Sequence, residues 1–248
     1  MASVRSLMQC IGADTSGSSS VLRDFFGFLR ARVPTDPDTT VTAEVSLLDQ
    51  VRGVQGRHVH LNVIQVGFDL VTDLDGAWEM LDYCVYRTRT IYRTRSLGVG
   101  RVLHFEVVSS EAQGFDDIGS RDEAQDLWQS FDVDNNGIDV FVTRANSSPI
   151  LGRSPVDGDC DKDGNDDGLW GGDLNRTFDG LSRTFAHEIG HYLSLEHNHG
   201  NNNCPTTTAG RNRLMAQTGC AISVRTSVNL TSGEGSDARS HRIVRSGC

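Results

Sequence analysis

The stretch that decides the reading is Thr184-Phe185-Ala186-His187-Glu188-Ile189-Gly190-His191-Tyr192-Leu193, with His197 four residues beyond it. An α-helix turns about 100° and rises about 1.5 Å per residue, so histidines four apart stand one turn apart on one face, where both imidazoles reach a single metal ion. Leu181, Phe185, Ile189 and Tyr192 fall on the other side of the same wheel, so a core grips one face while the histidines look into a cleft. Glu188 follows His187 directly; its carboxylate is poorly placed to ligate the ion but reaches a water beside it, as a general base must. His197 supplies a third nitrogen, and three neutral ligands with one open position are what catalytic zinc requires. Its separation from His191 is too long for a straight helix, which predicts a sharp turn after about Leu193. His199 is a rival at a different spacing, and His58, His60, His104 and His241 read as strand or surface residues.

From Arg57 the chain alternates strand and helix patterns. His58 to Val66 reads as a strand, with Val59, Leu61 and Val63 on one face. Leu74 to Arg95 reads as a helix with Trp78, Leu81, Val85 and Tyr92 in its apolar stripe, capped by Asp73 or Asp75 and closed by Gly98. Arg101 to Val108 is a second strand, Arg121 to Phe131 a short helix and Ile138 to Val142 a third strand. That order predicts an α/β fold with a mixed or mostly parallel sheet. Thr143 to Asp179, rich in Asp, Gly and Asn, predicts a long loop that is functional or held by ions. The metal-motif helix follows over Leu181 to Leu193, and Thr231 to Arg245 forms a closing helix, opened by Thr231 and Glu234 in capping-box spacing. Residues 1 to 56, with a Gly/Ser-rich stretch at Thr15 to Ser20 and a Pro/Asp/Thr linker at Pro34 to Thr40, read as an N-terminal extension or pro-segment remnant.

Within the long loop, Asp159, Asp161, Asp163 and Asp167 follow the pattern DxDxDGxxD, which sets carboxylates around a glycine turn and suits calcium. Trp170 rather than glutamate at the twelfth position excludes an ordinary EF-hand, and a solvated acidic loop is the alternative. Asp132, Asp134, Asn136 and Asp139 form a weaker version, better read as a turn at Asn136-Gly137.

The formal net charge is -10 and the only lysine is Lys162, so no basic stripe exists to neutralise a phosphate backbone, which excludes nucleic acid as the expected partner. No apolar run is long enough to span a bilayer. Cys10, Cys84, Cys160, Cys204, Cys220 and Cys248 include no CxxC pair, so they suit disulfides in a secreted protein. Met1 to Ser20 lack the order of a signal peptide, so the start reads as processed or recombinant, or export takes another route.

The run from His187 to His197 resembles HExxHxxGxxH, the signature of the metzincin zinc peptidases, and Leu214-Met215-Ala216 resembles their methionine turn. The resemblance covers residues 57 to 248 and implies a metzincin-type zincin fold: a twisted mixed sheet, a long active-site helix, an upper subdomain 57–197 and a smaller C-terminal one, 198–248. It implies a zinc endopeptidase acting as a monomer on polypeptides, with His187, His191 and His197 holding the metal, Glu188 catalytic and Met215 beneath the site. HEIGHYLxLxH followed by Cys204 is similar to the pappalysin branch. The segment Ala216 to Val228, with Ile222, Val224 and Arg225, would then wall the pocket beyond the cut bond, and Cys204 and Cys220 are placed to staple it. Two departures stand out: Ser194 occupies the signature's glycine position, and Gln217 stands where some branches have a tyrosine. The matrixin cysteine-switch sequence is missing, and Cys10 as a blocker of the open position is a minor alternative. A calcium-stabilised binding module with a vestigial zinc site, and a zinc hydrolase of a non-peptide bond, remain the alternative readings.

Overall fold

The computed structural model describes residues 56–68, 74–163, 166–199 and 203–246. The expected N-terminal extension, Cys10, the Asp73 cap, the Trp78 side chain and Cys248 lie outside the described residues. The elements run β1 (Arg57–Val66), α1 (Leu74–Arg93), β2 (Leu97–Val107), β3 (Asp117–Ile118), α2 (Arg121–Ser130), β4 (Gly137–Thr143), β5 (Ala145–Asn146), β6 (Gly168–Asp173), α3 (Phe178–Tyr192), α4 (Thr208–Arg211), α5 (Ser232–Ser240) and β7 (Arg245–Ser246). Strands β2, β1, β4 and β6 lie side by side in that order, all parallel, and β7 adds a short antiparallel pairing at the start of β1. This is the α/β fold expected, with a mixed and mainly parallel sheet.

A parallel sheet carries helices on both faces, so its strands are buried on both. β1 shows this: Val59, Leu61 and Val63 join α1 and α3 in one core, while Ile64 and Val66 join α2 in a second around Trp128 and Trp170. The alternation expected of β1 is therefore real, yet neither side faces solvent. Its polar residues are absorbed inside. Asn62 donates to the Asp139 carboxylate at 2.6 Å, and His58 and His60, expected in a strand or at the surface, are almost wholly buried. Leu214, Met215, Leu230, Ala238 and Ile243, all from beyond residue 198, share the larger core with β1, α1 and α3.

Three expectations shift. The helix expected to run to Arg95 stops at Arg93, and Ser96, with φ 57°, turns the chain, so β2 begins at Leu97 and Gly98 lies inside it. The closing helix ends at Ser240 rather than Arg245, though its capping box of Thr231 and Glu234 is formed as expected. The long loop contains a strand, β6. Its sequence, Gly-Leu-Trp-Gly-Gly-Asp, hides it because the glycines lie where the backbone must approach its neighbours: a Cβ on Gly168 would stand 2.7 Å from Trp128 Cβ, and one on Gly171 3.0 Å from Phe185 Cδ2.

Candidate metal centre and active-site cleft

Helix α3 opens with Thr177, whose side chain accepts from Gly180 N, and every residue from Leu181 to Tyr192 is buried. Its end is built by a pair of bonds from beyond the last turn: Ser194 N donates to His191 O at 2.9 Å and Leu195 N to Gly190 O at 2.9 Å, with Ser194 at φ 69°. That is a Schellman ending, in which one residue takes the left-handed conformation. It makes the turn expected after Leu193. The reversal brings Leu195 O to 2.6 Å from His191 Nδ1 and returns His197 to the two helical histidines.

The Nε2 atoms of His187, His191 and His197 form a nearly equilateral triangle, with separations of 3.1, 3.1 and 3.2 Å. Tetrahedral zinc, bound at about 2.0–2.1 Å, needs nitrogens about 3.3 Å apart, so the triangle fits one ion with little adjustment. The orientation of two rings is fixed from behind. His187 Nδ1 lies 2.8 Å from Leu214 O and His191 Nδ1 faces Leu195 O; a carbonyl only accepts, so each Nδ1 carries the proton and each Nε2 offers its lone pair. Burial pushes the His187 pKa well below its usual value and that of His191 down to about 4, which keeps both rings neutral and ready to ligate.

Met215 is fully buried, and a Cβ placed on Gly190 would stand 2.6 Å from its sulfur, so the glycine inside HEIGH is what lets the methionine seat against the helix. Asn198 N donates to Met215 O at 3.2 Å, tying the loop of His197 to the same turn. Cys204 and Cys220 form the expected disulfide, which closes the loop carrying Met215. The exposed His199 is not part of the triangle.

Glu188 points into a cleft of about 870 Å³ that also receives the three histidines, Gly152, Arg153 and Thr218. Leu151 to Ser154 line another side of it, and Arg153 there pairs antiparallel with Trp170 of β6. Gly152 lies so close that a Cβ there would come 2.7 Å from Glu188 Cγ. Burial raises the Glu188 carboxyl to about 8, against the opposing pull of Arg153 and Arg183, so in the metal-free protein it is poised to hold a proton. The lower wall differs from expectation. Gln217, Thr218 and Gly219 line the cleft, whereas Ile222, Val224 and Arg225 do not, because the chain turns away after the short helical turn at Thr218–Cys220 and Ile222 is left 49% exposed.

Among the described residues, the three histidines are the one group of three or more His, Cys, Asp or Glu whose ligand atoms converge. Asp159, Asp161, Asp163 and Asp167 do not form such a group, and the calcium expected there has no support in the geometry. Protein contacts hold part of the loop. Asp159 Oδ1 accepts from Cys160 N and Asp161 N, and Lys162 reaches inward to the buried Asp139 at 2.7 Å. The sequence was silent on Arg183, which lies fully buried one turn before His187 and donates to the loop around Met215.

An α/β domain whose cleft brings three metal-ready imidazoles together beside a buried carboxyl defines a candidate metalloenzyme centre. No family model matches the chain, and comparison with curated proteins finds no match. Among solved structures, it is similar to archaemetzincin from Methanopyrus kandleri at 15% identity and a TM-score of 0.47, over 73% of this chain and 94% of that one. It is also similar to metalloproteinase-II from Bacteroides fragilis at 12% identity and a TM-score of 0.45, over 94% of this chain and 60% of that one. A chain in a chaperone–substrate complex is similar at 13% identity and a TM-score of 0.44, over 76% of this chain and 35% of that one.

Proposed function

We propose that the chain is a zinc-dependent endopeptidase of the metzincin type, with His187, His191 and His197 as ligands and Glu188 as the catalytic base. The observation that carries this reading is the Nε2 triangle with its Nδ1 atoms turned to backbone carbonyls, opening on a cleft that Glu188 also enters. Bound zinc would polarise the scissile carbonyl and acidify a water. Glu188 Oε would accept a proton from a water beside the ion and return it to the leaving amine. The segment Leu151 to Ser154 along the cleft would offer backbone groups to an extended polypeptide. Met215 acts as a floor under the ligands, and residues 198–248 form the lower side of the cleft. The branch most similar in its HEIGHYLxLxH run and following Cys204 is the pappalysin one, and we assign the protein as a monomer working outside the cell.

The purified protein should contain one zinc and cleave denatured protein, and a chelator should abolish the cleavage. Glu188→Ala should keep the zinc and lose nearly all activity, whereas His191→Ala should lose the metal. A wild-type protein that binds no zinc, or a fully active Glu188→Ala variant, refutes this function.

A further inference from the structure

Arg183, His187 and His191 stand at successive intervals of four along α3, so the guanidinium shares a stripe with two of the ligands. It is fully buried, and its five acceptors are all neutral. Nε donates to Ser227 O at 3.0 Å, and Nη1 to Thr218 Oγ1 at 2.8 Å. Nη2 lies 3.2 Å from Arg213 O, 3.0 Å from Leu214 O and 2.6 Å from Ala216 O. Every partner therefore belongs to the 213–227 segment that wraps the methionine turn. One of them is shared: Leu214 O also accepts from His187 Nδ1 at 2.8 Å.

We propose that Arg183 is a positioning residue for the metal centre, holding the Leu214 carbonyl so that His187 keeps its proton on Nδ1 and its Nε2 lone pair on the ion. A carbonyl has two lone pairs, and here one meets the guanidinium and the other the imidazole. The planar fork reaches several carbonyls from one rigid group, which a flexible ammonium or an apolar side chain cannot copy. Without it, the carbonyls of Arg213, Leu214, Ala216 and Ser227 lose a buried donor, and the turn has no other described bond from α3 to Leu214 O except that of His187 itself. Burial lowers the guanidinium's pKa to about 10, so it stays charged at neutral pH.

The inference rests on the zinc reading and is tested by the zinc dissociation constant, measured by competition against a chromophoric chelator. Arg183→Met should raise that constant by roughly 10- to 100-fold, the usual effect of losing a group that orients a ligand. Arg183→Lys should fall between it and wild type, and the cobalt-substituted forms of both should show shifted visible absorption. Arg101→Met removes an arginine bond of similar length, to Asn136 Oδ1 at 2.7 Å, between residues that neither line the cleft nor bond the 213–227 segment; it should leave zinc affinity alone. Arg183→Met that folds yet binds zinc as wild type does overturns the proposal. If that variant does not fold, Arg183→Lys decides: wild-type affinity together with an unchanged cobalt spectrum overturns it equally. Zinc binding by the wild type keeps the proposed function standing in either event.

Discussion

Replacing Gly190 by alanine sets two effects of known size against each other. In an open helix alanine is favoured over glycine by about 0.8–1.0 kcal/mol. At this position the new Cβ would stand 2.6 Å from Met215 Sδ, 3.0 Å from Tyr92 Oη and 3.2 Å from Met215 Cε. Met215 is enclosed and cannot swing into solvent, and Tyr92 Oη is engaged with Ala186 O at 2.8 Å. Overpacking of this kind costs about 1–3 kcal/mol, so the balance is a net loss of about 1 kcal/mol. For a domain of this size, that lowers Tm by about 2–4 °C. Thermal melts of the metal-free protein should show the drop, and zinc titration should show weaker binding, because the displaced sulfur lies against the residue that precedes His191. Combining the change with Met215→Ala isolates the contact: once the sulfur is gone, Gly190→Ala should become neutral or stabilising. If Gly190→Ala raises Tm equally in both backgrounds, Met215 does not seat against the helix, and the account of the methionine turn is wrong.

Lys162→Met should destabilise the protein by about 3–5 kcal/mol in chemical denaturation, because it strands the buried Asp139 without its cation. Calcium should leave the melting temperature of the wild type unchanged, since the carboxylates of Asp159, Asp161, Asp163 and Asp167 do not converge; a clear rise would restore the calcium reading. In the metal-free protein, His191 and His60 have folded pKa values depressed to about 4 and about 3 from 6.5, mainly by burial. Protons thus bind the unfolded chain first: the stability these groups contribute is whole above pH 6.5 and is lost as pH falls from there toward their folded values. Denaturation midpoints between pH 7 and pH 4 should decline accordingly, and His60→Asn should flatten part of the slope.

The candidate site was legible because its chemistry is local. His187, Glu188 and His191 share one helix, and helical spacing alone sets their relation. His197 needed the added idea of a turn, and Met215 the analogy of a family pattern. What escaped notice was set by contacts distant in sequence. β6 reads as loop because its glycines answer to Trp128 and Phe185, which only the fold brings near. Spacing likewise cannot reveal that Lys162, within the acidic run, turns inward to Asp139. Arg183 looks like one more charge in an arginine-rich chain, and only the path of residues 213–227 shows what it holds.

Ser194 joins these threads, because the departure from the family glycine is compensated by a residue far back in the chain. At φ 69° a serine bears a steric cost of about 1–2 kcal/mol that a glycine would escape. Its hydroxyl donates to Asp157 Oδ1 at 2.7 Å, a charge-assisted bond that offsets much of that cost. Asp157 is itself held at φ 65°, with its N–H 3.1 Å from His191 O, while Gly158 N donates to Tyr192 O at 2.9 Å. Two left-handed residues are therefore cross-linked, and the carbonyls of His191 and Tyr192 at the end of α3 are met by Asp157 and Gly158, just ahead of the acidic run. Glycine would relieve the strain but lose the bond and enlarge the entropy of the unfolded chain. The serine ties the segment leading into the acidic run to the turn that returns His197, and so helps close the helix that carries His187 and His191.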